Sequence, residues 1–162
     1  MIRTVMGIAL ASTTLLTAAQ AADVVADAGA KIVAPLEIEN TAALYFGTVA
    51  PSLTDDDTVA VKADGSKVCG AELSCLTDDH TAAEFAVTGA NGQSYTITLP
   101  REAKIANGDG DEMEITNFAG SKASGTLSGG KDSFTVGGIL NVAAKQPEGD
   151  YKGTFVVTVE YQ

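Results

Sequence analysis

The segment YKGTFVVTVEYQ, residues 151–162, closes the sequence and decides the fold that it predicts. Tyr151, Phe155, Val157, Val159 and Tyr161 share one parity, and the other parity is mostly Lys, Thr and Glu. A period of two with aromatic and β-branched residues predicts a half-buried β-strand. No later segment follows in this sequence, so we expect an open strand edge unless an earlier segment pairs with it. Two interpretations follow: an ordinary last strand paired on both sides within its domain, or a strand that accepts another strand from a neighbouring subunit.

The rest of the chain predicts further short strands. Asp64-Gly65 predicts a tight turn, and GANG at residues 89–92 predicts a hairpin between strands over residues 84–88 and 94–99. Residues 133–142 form either two strands or one strand bent at Gly137-Gly138. Roughly eight or nine short strands with turns rich in Gly, Asn and Asp predict an all-β fold, a β-sandwich. We expect it to occupy residues 22–162 as a single domain.

The N-terminal residues predict export. Arg3 precedes an apolar run over residues 5–16, and Ala19-Gln20-Ala21 fits the small-x-small cleavage rule. Residues 1–21 are therefore interpreted as a signal peptide, and the mature chain is expected to begin at Ala22. The apolar run is too short to cross a bilayer, so no membrane insertion is expected. The predicted location is the periplasm, then the cell surface or the extracellular space.

The charge of the chain excludes some partners. Arg3 is the one basic residue of residues 1–21, so nine basic and 21 acidic residues remain after cleavage, a net charge of −12. So acidic a surface argues against nucleic acid and against anionic lipid as partners.

Cys69 and Cys75 are the two cysteines of the sequence. In an oxidising compartment, two cysteines so close together predict one structural disulfide across a small loop. A zinc site needs more ligands than these cysteines and the single His80 supply.

Residues 24–38 carry an apolar side chain at every even position, a run longer than the usual strand of about five or six residues. It is interpreted as two strands in tandem, with Pro35 confining the second to an edge or a strand start. Residues 22–35 would then be an N-terminal extension that donates a strand to another subunit. The alternative is a flexible start of the mature chain. The inward residues of the donor strand would be Val24, Ala26, Ala28, Ala30 and Ile32.

No segment predicts a reaction centre. Residues 107–112 resemble the start of a calcium loop, but Glu112 stands where an EF-hand needs Gly, so we interpret them as a turn between two strands. His80 follows Asp78 and Asp79 in a predicted loop, and no G-x-S-x-G motif occurs. We therefore expect no enzyme activity, no cofactor and no metal.

Several blocks resemble an uncharacterised bacterial secreted family, domain of unknown function 4402. They span nearly all of the mature chain in the family's order: LYFGTV at 44–49, AVTG at 86–89, YTITLP at 95–100, FTVGGILNV at 134–142 and GDYKGTF at 149–155. The C-terminus is also similar to that of chaperone–usher pilins, in which Tyr is penultimate, Gly is fourteenth from the end, and apolar residues alternate between them. Here Tyr161 is penultimate and Gly149 is fourteenth from the end.

The pilin resemblance implies an immunoglobulin-like sandwich that lacks its last strand. A periplasmic chaperone would fill the gap first, and the next pilin-like subunit, delivered by an outer-membrane usher, would then replace it. The implied acceptor residues are Gly149, Phe155, Val157, Val159 and Tyr161. The predicted function is thus a structural subunit of a surface fimbria or pilus-like polymer, with an implied role in cell adhesion. The alternative is a self-complete secreted sandwich that serves as a binding or coat module without polymerising.

Overall fold

The computed structural model describes residues 20–76 and 79–162, and the chain divides into two units, Met1–Lys31 and Ile32–Gln162. Most of the predicted signal peptide lies outside the described residues. Residues 20–31, the described part of the first unit, form neither strand nor helix and are exposed throughout. The predicted strand over residues 24–32 is therefore not formed in the single chain.

The described residues of the second unit form thirteen strands, which give an all-β architecture. Their bounds are β1 (Glu37–Ala42), β2 (Val49–Ala50), β3 (Asp57–Val61), β4 (Lys67–Cys69), β5 (Ser74–Cys75), β6 (Ala83–Thr88), β7 (Ser94–Thr98), β8 (Glu102–Ala106), β9 (Glu112–Gly120), β10 (Ser124–Thr126), β11 (Lys131–Val142), β12 (Lys152–Gly153) and β13 (Thr158–Tyr161). No helix of this part of the chain is long and apolar enough to cross a membrane.

The strands form two main sheets that pack as a sandwich. The eight-stranded sheet has the order β1-β6-β11-β9-β8-β12, with β3 paired to β11 and β4 paired to β3. The three-stranded sheet has the order β10-β7-β13, and β2 and β5 form a short separate pair. Every strand pair is antiparallel. The prediction of an all-β sandwich is confirmed.

Two buried clusters make the core. The first joins β3, β9 and β11, and its residues are Phe46, Val59, Val61, Leu73, Ile115, Leu140 and Val142. The second lies between the two main sheets, and its residues are Ala83, Phe85, Val87, Tyr95, Leu127, Phe134 and Val136. The second cluster, called the inter-sheet core below, positions the candidate site.

Local predictions are mostly confirmed. Gly65 occupies a turn between β3 and β4 with a φ of 82°, and residues 107–111 connect β8 to its neighbour β9. Residues 133–142 belong to one strand, β11, whose register shifts between Gly137 and Ile139. Cys69 and Cys75 form the predicted disulfide, with their Cα atoms 6.3 Å apart.

The predicted hairpin at residues 89–92 is wrong. β6 pairs with β1 and β11 in the large sheet, whereas β7 pairs with β10 and β13 in the small sheet. Val87 and Tyr95 both point into the inter-sheet core, so the chain passes from one sheet to the other between them.

The C-terminal strand is also not continuous. Residues 154–157 separate β12, which pairs with β8, from β13, which pairs with β7. The chain changes sheets here, which interrupts the ladder, yet the predicted alternation of half-buried and exposed side chains continues over residues 154–162.

Candidate functional site

β13 is an edge strand of the small sheet. Within the described residues its one partner is β7, with Thr158 opposite Thr98 and Tyr161 opposite Tyr95. Its inward side chains, Val159 and Tyr161, are half-buried and pack on the inter-sheet core. The strand therefore packs on the core while one of its sides has no strand of the described chain beside it.

The ladder shows which backbone groups of β13 face that side. The N–H of Gln162 donates to the carbonyl oxygen of Ser94 at 3.1 Å, so 162–94 is a hydrogen-bonded pair. Hydrogen-bonded and non-hydrogen-bonded pairs alternate along an antiparallel ladder. Glu160 and Thr158 therefore bond to β7, and the N–H and C=O groups of Val159 and Tyr161 point away from it. We call this side of β13 the open edge.

β1 has a similar edge in the large sheet. Its one strand partner in the described chain is β6, and the N–H of Gly89, just after β6, donates to Gly130 on the β11 side at 3.0 Å. By the same alternation, the backbone N–H and C=O groups of Thr88 point toward Glu37. The backbone N–H and C=O groups of Ile38 point away from β6. We call this side of β1 the β1 edge.

One side chain links the two edges. The hydroxyl of Tyr161 donates to the carbonyl oxygen of Ala34 at 2.9 Å and accepts from the N–H of Ala90 at 2.7 Å. The end of β13 thus lies beside the residues that precede β1. Phe155, before β13, lies near Phe85, which is opposite Asn40 of β1, so the two segments run in opposite directions. Gly89 makes room for this contact, because a Cβ at that position would collide with the Tyr161 hydroxyl oxygen.

Half-buried apolar side chains from both edges cover the inter-sheet core. Those from the β1 side are Leu36 and Ile38, and those from the β13 side are Phe155, Val157, Val159 and Tyr161. The ring of Phe155 lies 4.8 Å from that of Phe118 and 6.2 Å from that of Phe85, between ring centroids. Leu36 and Ile38 were not singled out from the sequence as part of this surface, because a pairing so distant in the chain leaves no local pattern.

The predicted acceptor residues fall into three groups. Val159 and Tyr161 lie in β13, and Phe155 and Val157 precede it but pack on the same core. Gly149 lies in the loop before β12, next to Asn107, with a φ of 148° that favours glycine. Gly149 is therefore part of the approach to the last strands and not of the edge itself.

The predicted donor residues lie in the exposed N-terminal segment. Val24 is 91% exposed and Ile32 is 95% exposed, and the three alanines between them, Ala26, Ala28 and Ala30, are exposed as well. A partner that covers these exposed apolar side chains would lower the free energy, because it would remove apolar surface from water.

The electrostatics around the core come from two sets of residues. Exposed acidic residues lie beside both edges: Glu37 and Glu39 beside the β1 edge, and Glu160 beside the open edge of β13. Asp132 lies at the border of the core, where its carboxylate accepts from Lys122 at 2.7 Å and from the Tyr95 hydroxyl at 3.0 Å. Burial raises the pKa of Asp132, but hydrogen bonds from Lys122, the Ser133 N–H and Tyr95 outweigh it and hold the pKa below 3.8.

The loop that resembled a calcium site is an ordinary turn. Asn107 accepts from the backbone N–H groups of Asp109 and Asp111 and donates to the Asp111 carboxylate. Among the described residues no group of three or more His, Cys, Asp or Glu side chains could hold a metal ion. The ring Nε2 of His80 lies 3.0 Å from the carbonyl oxygen of Gly65, in a contact that connects two loops.

The family model for the Domain of unknown function DUF4402 matches residues 36–161. The match begins one residue before β1 and ends with β13, so it contains both edges and leaves the exposed segment before Leu36 outside. No curated protein matches the chain, and no solved structure matches it.

Proposed function

We propose that this chain, which belongs to the DUF4402 family, is a structural subunit of a fimbria or pilus-like polymer assembled by donor-strand exchange. The observation that carries the proposal is that, among the described strands, β13 pairs with β7 alone while its inward side chains pack on the inter-sheet core. An incoming strand would satisfy the backbone groups of Val159 and Tyr161 and cover the apolar side chains beside them.

The exposed N-terminal segment has the length for this role. At about 3.3 Å per residue, residues 24–32 extend over about 26 Å, and residues 155–161 over about 20 Å. Its inward residues alternate, and Val24 and Ile32 at its ends are nearly fully exposed in the single chain. Three of the five inward residues are Ala, which bury little apolar area, so the exchange is expected to stabilise the polymer only moderately.

Export and assembly factors belong to the same proposal. A subunit with an uncovered strand edge is exposed to wrong pairing before assembly. A periplasmic chaperone that occupies the edge and an outer-membrane usher that releases it at the surface would prevent this. The disulfide Cys69–Cys75 fits such an oxidising route.

A second candidate is a self-complete binding or coat module. Phe155, Val157, Val159 and Tyr161 are already half-buried without any donor strand, which favours this alternative. In that case the open edge would be an ordinary edge strand, and the exposed segment would have no partner.

Substitutions at two neighbouring valines distinguish the two candidate functions. Val157 packs on the inter-sheet core, whereas Val156 is 74% exposed on the opposite face. We expect Val157→Asp to abolish fibres seen by negative-stain microscopy and Val156→Asp, with the same added charge, to leave them normal. Fibres of normal length with Val157→Asp would contradict the proposal.

A folding control keeps this test decisive. If Val157→Asp fails to fold by circular dichroism, a chain that lacks residues 22–33 replaces it, because it loses the donor and keeps the acceptor. Mixed into the wild-type chain, that donor-less subunit should still be incorporated at the end of a fibre and shorten it. Fibre length that is unchanged by an excess of donor-less subunit would contradict donor-strand exchange through residues 22–33.

A further inference from the structure

We infer that the occupant of the open edge is residues 22–33 of a second copy of this chain, and that the Ala34-Pro35 junction prevents the same segment from folding back on its own chain. The inference rests on the proposed function and specifies its partner. The supporting observations are the backbone conformation and hydrogen bonds of residues 34–37 and the hydrogen bond of the Tyr161 hydroxyl to Ala34.

Folding back would require a tight reversal. The Tyr161–Ala34 hydrogen bond places the start of β1 at the end of β13. A segment from the same chain could enter between the two edges only by turning through about 180° between Val33 and Glu37 and forming a hairpin with β1. It would then run antiparallel to β1 and parallel to β13.

The residues at the junction oppose that turn. A two-residue hairpin favours turns with φ > 0 at its first or at both central positions, and Pro35 is fixed near −65°. Ala34, which precedes a proline, is restricted to extended conformations.

A turn centred one residue later is opposed by existing contacts. With Pro35 and Leu36 at the centre, the N–H of Glu37 would have to bond the carbonyl of Ala34. Instead the N–H of Glu37 points toward Thr88 in the β1–β6 ladder, and the carbonyl oxygen of Ala34 accepts from the Tyr161 hydroxyl. Leu36 packs on the inter-sheet core, so it is not available for the apex of a turn.

The occupant is then identified by length, pattern and availability. Residues 22–33 have alternating apolar residues, and Val24, Val25 and Ile32 are more than 90% exposed. A second copy supplies the same segment without any reversal, since its own junction can stay extended. The inferred arrangement makes each chain a donor to one neighbour and an acceptor from another.

The test converts the junction into a hairpin turn. Asn-Gly is the preferred pair for a type I′ turn, so Ala34→Asn/Pro35→Gly should let the segment close on its own chain. Ala34→Asn alone keeps Pro35 and is the matched control. After export to a bacterial periplasm, we expect the wild-type chain and the control to form polymers and the double variant to elute as a monomer in size exclusion.

Binding of a synthetic peptide of residues 22–33 gives a second measurement. A tethered segment acts at an effective concentration of about 1 mM, so a peptide that binds the chain lacking residues 22–33 with a Kd of about 10 μM should bind the double variant about 100-fold more weakly. Polymerisation of the double variant equal to that of the wild type, with peptide binding equal to that of the chain lacking residues 22–33, would overturn the inference and leave the proposed function intact. A wild-type chain that neither polymerises nor binds the peptide would overturn both.

Discussion

The hydroxyl of Tyr161 donates a 2.9 Å hydrogen bond to the carbonyl oxygen of Ala34, 127 residues earlier in the sequence. This contact ties the end of β13 to the residues before β1, and the N–H of Ala90 holds the same hydroxyl from the other side. It therefore fixes both the end of the open edge and the point from which the N-terminal segment leaves the domain.

Gly89 is required for this contact. A methyl group there would collide with the Tyr161 hydroxyl and press on Leu127 and Leu36, 3.0 and 3.2 Å away. We expect Gly89→Ala to lower the free energy of unfolding by about 1–3 kcal/mol, as overpacking does. The control is Gly108→Ala, where nothing lies within 4 Å of the added Cβ. Equal urea midpoints for the two variants would contradict the role assigned to Gly89.

Asp132 makes stability depend on acid. Its pKa in the folded chain lies below 3.8, because three hydrogen bonds outweigh burial. A group whose pKa is lower in the folded state stabilises the fold above its unfolded pKa, and this stabilisation disappears as the pH falls through the folded pKa. We therefore expect the contribution of Asp132 to be complete above about pH 5 and to decrease progressively as the pH falls below about 4 and through the folded pKa.

Two variants test this dependence. Asp132→Asn should flatten the fall in unfolding free energy below about pH 4, measured by urea titrations at several pH values. Lys122→Met removes the ion pair at 2.7 Å and should lower stability at neutral pH, because a half-buried carboxylate then lacks its cation. An acid limb of Asp132→Asn identical to that of the wild type would argue against this account. Asp64, whose pKa is also lowered, leaves a residual slope in every variant.

The disulfide closes a short loop that carries Leu73 into the first core cluster. Cys69→Ser/Cys75→Ser should lower the free energy of unfolding by about 2 kcal/mol, the size expected for so small a loop. Ser74→Ala, an exposed position inside the same loop, is the control and should change stability little. An unchanged denaturation midpoint in the double variant would show that Leu73 and its neighbours hold the loop without the disulfide.

Features set by neighbouring residues could be predicted from the sequence. The Asp64-Gly65 turn and the pairing of Cys69 with Cys75 both depend on spacing along the chain. The irregularity of β11 at Gly137 corresponds to one of the two alternatives that its Gly-Gly pair left open. The alternation over residues 154–162 was also correct, because a strand's parity is visible in its side chains.

Features set by contacts between distant segments could not be predicted from the sequence. Whether residues 94–98 pair with β6 or join another sheet depends on the shared core, so the predicted hairpin was wrong. The β1 side of the candidate site is linked to β13 through Ala34 and Ala90, at sequence separations of 127 and 71 residues. Such contacts leave no periodic signal in either segment.

The central claim is that β13 accepts a strand from a second copy. The most direct measurement is gel electrophoresis in SDS of the chain recovered from the periplasm or cell surface, unheated and boiled in parallel lanes. We predict a ladder of multimers without heating that collapses to a single monomer band on boiling. A monomer band in both lanes, together with a sharp monomeric peak in size exclusion, would contradict strand exchange and indicate a self-complete sandwich.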